Sequence, residues 1–236
     1  MKLYDAEVNR IRQYLSYQVN FPLMGGPGSI HLDLGSGSNI RNPFGAELVY
    51  GTDITLKTFE SIGNSRLYPA DLTKPLPFED GYFDSVSAFD LIEHIPRWER
   101  GADGDIKFPF VDLMSEIFRI LKPDGYFTAV TPAFPAAEAF QDPTHINFIS
   151  INTLDYFVGS LPHATTVGYG FKGSFHKVHQ SWLRGSGPFE TLENRISPGF
   201  KNLKSIHASF RLINRTRKLL TPRKKSHLLW VLQAVK

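Results

Sequence analysis

In the run AFQDPTHINF, residues 139–148, a histidine follows an aspartate by three positions. An imidazole titrates near neutrality, so His145 is the residue type suited to take a proton from a hydroxyl group. Asp142 is placed to orient that ring, and Pro143 stiffens the turn between them. A second cluster, DLIEHIPRWER at 90–100, holds Asp90, Glu93 and His94. The spacing of Asp90, Glu93, His94 and His145 matches no metal-binding motif, and no metal is expected.

A third set sits around the stretch IHLDLGSGSNI, residues 30–40. Ile30, Leu32 and Leu34 read as a buried strand that runs into Gly35 and Gly37, where the backbone turns sharply and approaches something closely. A dinucleotide fingerprint needs a third glycine at position 40, which is Ile40, and no Gly-Lys-Ser/Thr phosphate loop occurs. Asp33, just before the bend, repels a pyrophosphate and suits a cation. Asp53 ends the next apolar run and is placed to accept two ribose hydroxyls. Asp71, in PADL, is placed to accept from an adenine amino group. The ligand implied is a positively charged nucleoside without phosphate.

Apolar runs bounded by turn residues must position these groups. Strands are expected at 29–34, 47–54, 65–72, 83–90, 125–132, 170–183 and 226–235. A helix is expected at 111–125, where Val111, Leu113, Met114, Ile117, Phe118 and Leu121 repeat at near-helical spacing before Pro123 and Gly125. Further helices are expected at 1–20 and 205–220, a loop and helix over 133–169, and a short or irregular helix in the first crossover, where Pro43 and Gly45 leave little room. The fold class is α/β: a Rossmann-like, seven-stranded, mostly parallel sheet with an antiparallel edge strand and helices on both faces.

The order Asp-Leu-Gly-Ser-Gly (33–37), Asp53, Ala-Asp-Leu (70–72), FDLIEHI (89–95) and EIFRILKPDGYFTAVTP (116–132) resembles a class I S-adenosylmethionine-dependent methyltransferase over residues 29–132. The resemblance implies S-adenosylmethionine as cofactor. It implies that Asp33, Gly35 and Gly37 face its methionine part, that Asp53 binds the ribose, and that Asp71 and Leu72 meet the adenine. Phe89 and Asp90 then lie where the fourth strand opens toward the sulfonium, and Ser36 and Ile54 complete the expected cofactor-binding set. Asn39 departs from the family, many members of which carry a third glycine there. Glu93 and His94 match a Glu-His pair that mostly shapes the floor of the site. The Asp-Pro-Thr-His run resembles a loop of small-molecule and sugar-associated members, in keeping with His145 as base and Asp142 as its partner; Asp90, exposed to the acceptor side after the fourth strand, completes the expected catalytic set.

The 236 residues form one expected domain: a helical cap at 1–28, a cofactor core at 29–132, a substrate lid at 133–169 and a basic insertion at 184–225. No cysteine is present, which excludes disulfides, a thiolate nucleophile and Cys-ligated zinc. It also argues against pyrimidine-carbon methylation, which usually needs a cysteine. The Asn/Asp-Pro-Pro-aromatic run of DNA amino-methylating enzymes is missing after the fourth strand. The charged N-terminus and the lack of a run of about 20 apolar residues lead to an expected cytoplasmic protein without a membrane span. Acidic residues end at Glu193, whereas 11 of the 26 Lys and Arg follow from Arg195 on. That basic end reads as a solvated face, or as a contact for an acidic partner. His176 and His179, three apart on a strand, fall on opposite faces, and Trp182 reads as packing. The expected function is methyl transfer to a small-molecule acceptor, with O-methylation of a sugar or natural product preferred. The alternatives are a nucleic-acid or protein methyltransferase using the basic region, and a non-catalytic cofactor-binding scaffold.

Overall fold

The computed structural model describes residues 25–184 and 225–236. The helices expected at 1–20 and 205–220, and nearly all of the basic insertion, lie outside the described residues. Ten strands are present among the described residues: β1 Ile30–Leu34, β2 Leu48–Asp53, β3 Glu60–Ile62, β4 Ser65–Pro69, β5 Phe83–Phe89, β6 Glu99–Arg100, β7 Ile106–Lys107, β8 Leu121–Pro132, β9 Phe175–Arg184 and β10 Lys225–Ala234. Eight of them form one sheet in the order β3-β4-β2-β1-β5-β8-β10-β9, and β6 pairs with β7 separately. β4, β2, β1, β5 and β8 run parallel, while β10 lies antiparallel between β8 and β9. The seven expected strands are all present. The eighth, β3, is a three-residue edge that folds back on β4. The strand order reverses at β1, so a crevice opens at the C-terminal ends of β1, β2 and β5.

One face of the sheet is covered by helix α1, Pro109–Ile120. Its buried stripe, including Leu113, Met114, Ile117 and Ile120, packs on Leu32, Leu34, Val86 and Phe127. Proline at the first turn costs no hydrogen bond there. The helix stops at Ile120 rather than running to 125, because Pro123 disfavours helical backbone at Lys122 and brings no N–H. The chain turns directly into β8, which therefore starts four residues earlier than expected.

The first crossover, residues 35–47, contains no helix, against the short helix expected there. Asn42 instead closes a tight loop by bonding both the N–H and the carbonyl of Ala46, at 3.0 and 2.9 Å. The loop drives Phe44 onto the second face of the sheet, where it packs fully buried against Phe89, Val130, Leu229 and Val231. Trp182 packs at the margin of the main core, as expected. No helix among the described residues is long and apolar enough to cross a membrane.

Candidate functional site

Gly35 and Gly37 make the bend after β1 with φ of 66° and 55°. The backbone conformation favours glycine at position 35, and a Cβ there would also lie 2.7 Å from Leu91 Cδ1 and push that side chain aside. Below the bend, alternation along the strands puts His31 and Asp33 on the same face as Ser85 and Ser87, their register partners on β5. All four are fully buried. The Ser87 hydroxyl donates to Asp33 Oδ1 at 2.8 Å, so it must accept from His31 Nε2 at 3.0 Å, and Ser85 Oγ then donates to His31 Nδ1 at 2.8 Å. The chain of bonds suits a neutral ring. Burial, only partly offset by hydrogen bonds, pushes the His31 pKa down to about 3 from 6.5.

The unfolded chain therefore binds a proton at position 31 between pH 6.5 and about 3 that the folded chain refuses. This contribution to stability is whole above pH 6.5 and is lost as the pH falls, by about 1.4 kcal/mol per unit. His31→Gln is expected to flatten the acid side of the unfolding free energy, measured with urea, relative to the parent chain. Parallel curves would show that the folded chain protonates this ring as readily as the unfolded one.

Asp33 does not face the crevice. It has no exposed surface, and its Oδ2 accepts from Arg41 N at 2.8 Å and Arg41 Nε at 2.9 Å. The same guanidinium donates to Phe89 O at 3.1 Å and Gly35 O at 2.8 Å, and lies 4.9 Å from the Phe89 ring centroid. Burial raises the Asp33 pKa, and the Arg41 charge opposes that shift. Of the pair, only Arg41 keeps any exposed side-chain surface near the bend. Sequence reasoning missed Arg41. The available signal was a cation inside a crossover too short for a helix, close behind a buried carboxylate that needs a counter-charge.

The outer carboxylates are more open. Asp53 is half-buried at the end of β2; its Oδ2 accepts from Gly37 N at 3.0 Å, and its Oδ1 accepts from Thr55 N and Oγ1 at 2.8 and 2.6 Å. Burial raises its pKa, but these bonds outweigh that and leave it lowered. Beside it Ile54 is 71% exposed. Asp71 is exposed beyond β4, with its carboxyl lowered by hydrogen bonds from Thr73, while Leu72 is buried in the core.

Asp90 follows β5 in left-handed backbone, φ 47°, with its N–H on Val130 O and an exposed carboxylate 3.4 Å from His227 Nε2. A 3-10 turn, Ile92–His94, comes next. Glu93 is buried and its Oε2 accepts from Thr131 Oγ1 at 2.8 Å. Burial, with the nearby charges of Asp90 and Asp142, pushes its pKa up to about 8. The loop after β8 is pinned on this turn, since Ile146 N and Asn147 N both donate to Glu93 O. His145 thereby meets His94 edge to face, ring centroids 4.8 Å apart.

The expected contact of Asp142 with His145 is not made. Asp142 Oδ1 instead accepts from Thr144 N and Oγ1, at 2.8 and 2.6 Å, in a local turn that outcompetes a longer reach. Thr144 Oγ1 lies 3.0 Å from His94 Nδ1, so Asp142 orients His94 through Thr144. A cleft of about 400 Å³ opens beside this loop, lined by Arg97, Trp98, Phe108, Asn147, Tyr156 and Tyr169 among others. Arg97 Nε donates to Asn147 Oδ1 at 2.8 Å and closes one wall.

Residues 32–129 match the family model described as a methyltransferase domain. These residues carry a class I S-adenosylmethionine-dependent methyltransferase domain. S-adenosylmethionine is the cofactor of this methyltransferase. Its fold is shared with a SAM-dependent methyltransferase from Archaeoglobus fulgidus, at 17% identity and TM-score 0.52 over 98% of this chain and 94% of that one. It is shared also with geranyl diphosphate C-methyltransferase from Streptomyces coelicolor A3(2), at 15% identity and TM-score 0.53 over 98% and 79%. The cyclase SpnF has the same fold, at 12% identity and TM-score 0.52 over 98% and 80%. At these identities the likeness is one of fold. No curated protein matches the sequence.

Proposed function

We propose that this methyltransferase acts on a hydroxyl group of a small, partly apolar acceptor such as a sugar or natural product, with His145 as the base. The observation that carries this reading is the His94–His145 ring pair, set in a loop whose following residues Asn147 and Ser150 line an aromatic-walled cleft. The residues present fit the cofactor. Asp53 and the exposed Ile54 offer a carboxylate and an apolar shelf for the ribose and adenine edge, Asp71 offers an open carboxylate, and a Cβ at Gly37 would meet only open space. Arg41 ties the carbonyls of Gly35 and Phe89 together and so fixes the bend against which the ligand would lie.

When bound, S-adenosylmethionine would supply an electrophilic methyl group, its sulfur keeping the C–S electron pair as the acceptor oxygen takes the carbon. The chain's own part is alignment, exclusion of water and removal of the hydroxyl proton. His145 Nδ1 lies 3.3 Å from the Ala139 carbonyl, which can only accept. Nδ1 therefore carries the ring proton, and Nε2 has the lone pair that receives the acceptor's. Phe134, Phe140 and Phe148, each at least 43% exposed, form an apolar cover for a ligand to displace water from.

The test is a methyl-transfer assay with labelled cofactor across three panels: hydroxylated small molecules, RNA, and a peptide mixture. Label is expected in the first panel. Label in RNA or peptide alone overturns the small-molecule reading, and cofactor binding without transfer in any panel favours the scaffold.

A further inference from the structure

We propose that Glu93, His94 and His145 form a binding site for a divalent first-row transition metal ion, with zinc as the reference case. One ligand atom from each of the three lies within 4.8 Å of the other two. Glu93 and His94 are neighbours in the turn after β5, and His145 is delivered by the loop that is pinned on the Glu93 carbonyl.

Two independent features point to a ligand. Glu93 is 2% exposed, and although Oε2 is bonded to Thr131, Oε1 is buried with no hydrogen-bond partner. A buried carboxylate oxygen left unpaired is costly, and a cation removes that cost. The second feature is the setting of the rings. The Thr144 hydroxyl donates to Asp142, so it accepts from His94 Nδ1; His145 Nδ1 donates to Ala139 O. Both imidazoles thus hold their proton on Nδ1 and keep the Nε2 lone pair. Metal-binding histidines are oriented in this way, by an outer oxygen on the second ring nitrogen.

Two imidazoles and one carboxylate suit zinc and its first-row neighbours; magnesium and calcium favour all-oxygen sets. Around a tetrahedral ion with bonds of about 2.1 Å, ligand atoms stand roughly 3.4 Å apart. Binding of the ion would draw the three ligand atoms together from their present spread of up to 4.8 Å, the two partly exposed rings turning about their Nδ1 contacts. The spacing of the three residues in the chain gave no motif, because the fold rather than one helix brings His145 to the pair. Three protein ligands leave a coordination position open, as in catalytic sites. An acceptor hydroxyl placed there loses its proton more readily, to solvent, with His145 then acting through the metal. That use rests on the hydroxyl-acceptor reading above; the binding of the ion does not.

The experiment uses the full untagged chain, stripped with chelator and titrated with zinc by calorimetry and with cobalt by visible absorption. One equivalent is expected, with the intense d–d absorption of a low-coordinate cobalt site. Glu93→Gln and His145→Gln are each expected to weaken binding by at least about tenfold. His163→Gln, away from the cluster, is expected to leave it unchanged. Circular dichroism confirms folding, and His94→Gln replaces any variant that fails it. No uptake, or uptake that the cluster variants leave unaltered, overturns the proposal. S-adenosylhomocysteine binding to the same stripped sample checks the methyltransferase separately, so cofactor binding without metal uptake overturns the metal site alone.

Discussion

Arg41→Ala is expected to destabilise the domain by about 3–5 kcal/mol, among the largest effects available to one substitution here. Asp33 has no exposed surface, and Arg41 supplies the guanidinium that faces it at 2.9 Å. Truncation leaves a buried carboxylate held only by Ser87 and one backbone N–H. It also frees the carbonyls of Gly35 and Phe89, so the bend and the end of β5 lose their common tie. A double-mutant cycle isolates the Asp33–Arg41 interaction. In an Asp33→Asn background the amide oxygen still accepts from Ser87 while the amide NH2 faces the Arg41 donors, so both the charge and the bonds to Arg41 are lost, and Arg41→Ala is expected to cost less by roughly 1–3 kcal/mol. Urea unfolding of the four proteins measures both quantities. A loss below about 1 kcal/mol in the parent background would mean that water replaces the guanidinium at no great cost.

His145→Gln is expected to lower turnover by about a hundredfold to ten-thousandfold while S-adenosylhomocysteine affinity stays as in the parent chain. Glutamine keeps much of the ring's bulk and can donate to Ala139 O, but it cannot take a proton near pH 7. The ring sits beyond β8, apart from the carboxylates at the end of β2 and beyond β4, so cofactor affinity is the control that separates chemistry from folding. Asp142→Asn is expected to have a smaller effect, since Asp142 makes no hydrogen bond to the His145 ring and its hydrogen-bonded link to His94 runs through Thr144. Chelation divides the two ways His145 can act. Loss of turnover in the stripped parent chain assigns its effect to a bound ion; retained turnover assigns it to the imidazole itself. Normal turnover in His145→Gln would remove this residue from the mechanism.

The sequence by itself determined the sheet and the bend. Period-two apolar runs mark strands because side chains alternate faces, and the seven runs appear as seven neighbouring strands. Gly35 and Gly37 take the positive φ that their spacing called for. The helix stop came early, at Ile120, because the steric reach of Pro123 extends one residue upstream. What the sequence left open depends on partners far apart in the chain. Asp33 reads as a ligand carboxylate until Arg41 is seen folded over it, a contact that requires the helix-free crossover and the buried Phe44. Asp142 and His145 look like a pair, yet the local turn at Thr144 passes the carboxylate's influence to His94. Whether Glu93 is a floor residue or a ligand turned on one orphaned oxygen, which only packing against β8 and the following loop exposes. Periodicity reports which face of a strand is buried; the three-dimensional packing alone decides which polar groups meet there, because burial makes each of them take whatever partner lies within reach.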